Sequence, residues 1–103
     1  MKKAILLLLL IAAPVQVEAL TDYEYCKQLS EYSESVMKAR QMGVPLHKMM
    51  DIAQPEKVLM ELTLAAYDRP KMFTEKVRRE FVNEFASQVL LDCMKKLGGN
   101  KND

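Results

Sequence analysis

The side chains with the most chemical potential crowd one short stretch, RQMGVPLHKMM at residues 40–50, which holds three of the eight methionines and the sole histidine. Soft thioethers and an imidazole suit Cu(I), so His47, Met49 and Met50 form a candidate copper site. Spacing argues against it. His47 and Met50 can share a helical face, but Met42 sits beyond Gly43 and Pro45, and methionine in a small helical protein more often fills irregular core space. The expectation is a helix junction packed by methionine, with no metal or cofactor. Cu(I) handling through His47 and the methionines ranks third, behind two protein-binding readings and ahead of an unknown small hydrolase.

Other reactive arrangements fare no better. Nucleophilic catalysis needs a hydroxyl or thiol beside a base, yet Ser30, Ser33, Ser35 and Ser87 fall in helical patterns without turn glycines. Glu31 with Glu34, and Glu80 with Glu84, have the spacing of solvated helix faces. His47 and Asp51, four residues apart, make a local helix pair rather than a catalytic dyad. The chain is therefore read as a non-enzyme.

What remains is contact chemistry. Arg40 closes the inward stripe of the first helix, where its guanidinium can cap carbonyls, pair with Asp68 or meet a partner. Arg78 and Arg79, in KVRRE, oppose the macrodipole near the start of the last helix and suit a local acidic partner. Candidate partner contacts are therefore Arg40, His47, Met49, Met50, Arg78 and Arg79. Tyr23, Tyr25 and Tyr32 crowd one helix and cannot all point inward.

The chain begins MKKAILLLLLIAAPVQVEA, with two lysines, an apolar run of about ten residues, a proline and a small-residue site, which reads as a secretory signal peptide at 1–19 cleaved after Ala19. The apolar run is too short for a span, which needs roughly 20 residues, so no membrane association is expected after cleavage. Removing 19 residues from 103 leaves 84, enough for one small domain. Losing Lys2, Lys3 and Glu18 from 15 basic and 14 acidic residues leaves 13 of each. A neutral domain has no electrostatic reason to bind nucleic acid. Export places the only two cysteines, Cys26 and Cys93, in an oxidising compartment, periplasmic or secreted, and implies a disulfide.

Four helices must position these groups. Thr21 and Glu24 form a capping box for the first, with Leu20 and Tyr25 as a hydrophobic staple, and Gly43 ends it near Met42. Its inward stripe is Cys26, Leu29, Ser33, Val36, Met37 and Arg40. A short second helix starts at Pro45 and runs to Ala53. Pro55 opens a third, PEKVLMELTLAAY, apolar almost all round and so expected to be central and largely buried. Pro70 breaks the chain, Thr74 caps a fourth helix over 75–97 with Phe73 as its staple residue, and Val77, Phe81, Phe85, Val89 and Cys93 face inward. The expected fold is all-α, a compact bundle of three long helices and one short one stapled by one disulfide, over residues 20–97. Residues 98–103 are expected to form a disordered tail.

Ala39, Arg40, Gly43, Ala66, Tyr67, Pro70 and an early and a late cysteine carry a resemblance to a diffuse group of small exported helical proteins of Gram-negative bacteria and their phages. That resemblance covers most of the mature chain and implies a periplasmic helical fold with no agreed activity. The leading expectation is a non-enzymatic periplasmic module that binds another protein. Phage- or prophage-encoded antiholins and superinfection-exclusion factors match it in size and class. The second expectation is a small periplasmic stress chaperone. Oligomeric state is left open.

Overall fold

The computed structural model describes residues 20–99, so the signal peptide expected at 1–19 and the tail at 100–103 lie outside the described residues. Among the described residues there are four helices and no strand: α1 (Asp22–Met42), α2 (Leu46–Ala53), α3 (Lys57–Tyr67) and α4 (Glu75–Gly99). Fold class, helix count and the Cys26–Cys93 disulfide agree with the sequence reading.

Local chemistry explains the boundaries. Thr21 Oγ1 accepts from Glu24 N at 3.1 Å while Glu24 Oε1 accepts from Thr21 N at 3.0 Å, so both halves of the capping box are made. At the other end Gly43 takes a left-handed conformation, φ 86°, and its N–H and that of Val44 return to Arg40 O and Ala39 O. Pro45 is the N-cap of α2 rather than its first helical residue. Gln54, directly before Pro55, is extended and ends α2. Pro55 then lies in the connecting turn, with Glu56 as the N-cap and α3 beginning at Lys57. Thr74 caps α4 by accepting from Val77 N, and α4 continues to Gly99, two residues beyond the expected end.

The organising element is α1, which packs against each of the other three helices and most extensively against α4. The two run antiparallel. Near the start of α1, Cys26 bonds to Cys93 in α4, with their Cα atoms 5.6 Å apart. Four residues on, Ser30 Oγ donates to Ala86 O at 2.7 Å. Small side chains on both helices permit this approach. The core lies farther along, where Val36 and Met37 of α1 meet Ala66 of α3 and Val82 and Phe85 of α4, with Tyr32, Met49, Tyr67 and Val89 packed around them.

The expectation of a central, buried α3 is corrected. Only Thr63 and Ala66 are buried there, while Leu64 and Ala65 are exposed and Val58, Leu59, Met60 and Leu62 are half-buried. With its main contacts limited to α1 and α2, α3 offers one face to the interior and leaves the rest of its apolar surface at the edge. No described helix is long and apolar enough to cross a membrane.

Candidate functional site

Three chain segments converge at the end of the bundle remote from the disulfide: the C-terminus of α1, the turn into α2, and the loop between α3 and α4. Gln41 holds them together. It is buried, its Nε2 donates to Pro70 O at 2.9 Å and its Oε1 accepts from Met72 N at 2.7 Å. One amide thus satisfies a carbonyl and an N–H of a loop that has no regular partners of its own. Next to it, Arg40 Nε donates to Arg69 O at 2.9 Å, with its guanidinium 5.4 Å from the centroid of the Tyr67 ring. Tyr67 Oη donates to Val44 O at 2.6 Å, tying α3 to the α1–α2 turn. Burial raises the Tyr67 phenol above its ordinary pKa, and the nearby Arg40 charge partly offsets that. Arg78 Nε reaches back from α4 to Met72 O at 2.7 Å. The loop from Arg69 to Met72 is therefore fixed from α1 and from α4.

This fixed loop carries Phe73, which is 92% exposed. The staple expected of Phe73 does not form. A staple needs an apolar partner four residues after the cap, and that position is Arg78, which is engaged with Met72 O. Met42, at the end of α1, is 81% exposed. Met42 lines a cleft of about 370 Å³ between the second half of α1 and the first half of α4. Its base includes Gln41 and Val82, both buried. Its walls carry the ion pairs Lys38–Glu34 at 3.3 Å and Arg79–Glu75 at 3.6 Å. Both pairs are solvent-exposed and contribute little to stability, but they line an apolar recess with charges of each sign.

A second cleft, of about 350 Å³, lies at the other end, where α3 and α4 flank α1 above the disulfide. Tyr25, Leu29, Val58, Leu62 and Val89 line it, and Glu61, Asp92 and Lys96 sit at its rim. It receives; it does not protrude.

Several residues singled out by the sequence have other positions. Arg40 caps a carbonyl, but that of Arg69 in the neighbouring loop, and it makes no ion pair with Asp68. Arg78 is half-buried and engaged; Arg79 stays exposed on the cleft wall. Met49 packs against the core, Met50 is half-buried, and His47 is exposed with no ion pair to Asp51. No group of three or more His, Cys, Asp or Glu suited to a metal occurs among the described residues. Tyr32 turns inward to share a 2.7 Å hydrogen bond with Thr63 Oγ1, whereas Tyr23 and Tyr25 are exposed.

Comparison with protein-family models, curated proteins and solved structures finds no match. The residues that carry the resemblance to exported helical proteins nonetheless have a physical connection. Arg40, Gly43, Tyr67 and Pro70 all lie in the hydrogen-bonded corner, and Lys71 Nζ sits 3.2 Å from where a Gly43 Cβ would be.

Sequence reasoning placed Gln41 and Met42 in the helix junction without an individual role and read Phe73 as a staple. A signal existed for two of them. Gln41 continues the inward register of Ser33 and Met37 at steps of four, and the absence of an apolar residue at position 78 denies Phe73 its staple partner.

Proposed function

We propose that the mature chain is an exported, non-enzymatic binding protein that recognises another protein through the corner formed by Phe73, Met42 and the adjoining α1–α4 cleft. The observation that carries this reading is the 92% exposure of Phe73 on a loop whose backbone is held by Gln41, Arg40 and Arg78. An aromatic ring left in water is a standing cost to a monomer, and pre-ordering the loop lowers the entropy lost when a partner covers it. Aromatic anchors seated in pockets dominate protein interfaces, with charged residues at the rim setting the register. Lys38, Glu34, Glu75 and Arg79 line the cleft as exposed ion pairs and would supply that rim.

The leader-like first nineteen residues and the disulfide support a periplasmic or secreted location. Phage- or prophage-encoded inhibitors of the antiholin or exclusion type fit in size and export. Affinity capture from periplasmic extract with the oxidised mature chain tests the proposal. The wild type retains a specific protein, Phe73→Ala lowers its retention at least about tenfold, and His47→Ala leaves it unchanged. Equal retention by Phe73→Ala and the wild type would remove this corner from the account.

A further inference from the structure

We infer that Met42 is a reversible oxidation site: a peroxide converts its thioether to the sulfoxide ahead of the other described methionines, and the sulfoxide weakens docking at this corner. The inference rests on reading the corner as a binding face and adds how that face is regulated. Exposure sets the order of methionine oxidation in a folded chain, because the oxidant must reach the sulfur lone pair. Met42 is 81% exposed. The other described methionines are shielded. Met37 is buried, with its sulfur accepting from Gln41 Nε2 at 3.5 Å. Met49 packs against the core, and Met50, Met60, Met72 and Met94 are half-buried.

The reaction needs only the peroxide. The sulfur lone pair attacks one peroxide oxygen, the O–O bond breaks as the S–O bond forms, and the second oxygen leaves as hydroxide, which takes the remaining hydroxyl proton to become water. Sulfur is oxidised by two electrons and the peroxide is reduced. Two thiols reverse the change, giving up two electrons to form a disulfide while the sulfoxide oxygen leaves as water. The consequence follows from position. Met42 is the last residue of α1, and it lines the cleft together with Lys38, Arg78 and Arg79, above the buried Gln41 and Val82. A thioether there is a flexible apolar contact that adapts to a partner surface. A sulfoxide is polar, and covering its oxygen carries a desolvation cost. Lys38 and Arg79 are donors available to that oxygen on the cleft wall, so a partner must also compete for them. Because Met42 is exposed, its oxidation leaves the fold intact and acts on binding alone.

Hydrogen peroxide titration of the disulfide-bonded mature chain, read by peptide mass, tests the site: Met42 gains an oxygen atom first, and Met37 gains one only after unfolding in urea. Capture from periplasmic extract tests the regulation. Chain carrying the Met42 sulfoxide retains its partner at least about tenfold less well than untreated chain, and treatment with a methionine sulfoxide reductase restores retention. Met42→Leu loses the peroxide response, its retention being equal before and after treatment. Oxidation of another methionine ahead of Met42, or retention unchanged by the Met42 sulfoxide, overturns the inference. The partner proposal fails by a different result, equal retention by Phe73→Ala and the wild type. The order of oxidation is read with no partner present, so the two failures are told apart.

Discussion

Gln41 occupies a register position that an apolar residue could fill, yet its amide closes hydrogen bonds to both Pro70 O and Met72 N. Gln41→Leu keeps the volume and deletes both bonds, leaving a part-buried N–H and C=O to find new partners. We expect a loss of about 2 kcal/mol in urea denaturation; a midpoint unchanged from wild type would show that the loop holds itself. Ser33 presents the opposite case, because its Oγ is buried in α1 with no hydrogen-bond partner. Ser33→Ala removes a desolvated hydroxyl and adds helix propensity, so stability should rise by about 1 kcal/mol. A loss on that scale would contradict the assignment. These residues also mark the limit of sequence reading. Arg40 was legible as a capping side chain because arginine at a helix end has few other structural uses, but its acceptor comes from a loop 29 residues away. The exposure of Phe73 and Met42 could not be read from hydrophobicity, since burial depends on which neighbours the fold supplies.

At the scale of elements, local rules were sufficient for both ends of α1 and for the start of α4. The Thr21–Glu24 box, the Gly43 terminator and the Thr74 cap are short-range devices written in adjacent residues. The depth of each helix is set by tertiary contacts, which is why α3, apolar almost all round, was assigned a centre that α1 occupies. Hydrogen bonds from Thr21 hold the Glu24 carboxyl below its ordinary pKa. A depressed folded pKa gives stability that is present above the unfolded value, about 4.3, and is lost as pH falls through the folded value. Thr21→Ala should therefore lower stability near neutrality and lower it less in acid, as followed by urea denaturation across pH. Tyr67 titrates with the opposite consequence. Its raised phenol contributes stability that is complete below about pH 10 and declines as pH rises through the folded value, since tyrosinate cannot donate to Val44 O. Tyr67→Phe should remove that alkaline decline; a decline of equal size in the variant would assign it elsewhere.

For the whole molecule, a modest core is backed by a cross-link at one end and a polar clamp at the other. The disulfide closes a separation of 67 residues, for which chain entropy gives about 4 kcal/mol, comparable with the total stability of a domain this small. Reduction should thus move the urea midpoint far more than any single substitution above, and a small shift would mean that the helices hold without the staple. Because the corner lies at the other end, reduction should weaken binding through global unfolding, not by disturbing Phe73 directly. The central claim is that this corner is where another protein docks. Photo-crosslinking in living cells, with benzoylphenylalanine installed at position 73 and, as controls, at positions 52 and 91, addresses it most directly. The account predicts a covalent adduct to a second, different protein from position 73 and none from the controls. Adducts from 52 or 91, with none from 73, would contradict it.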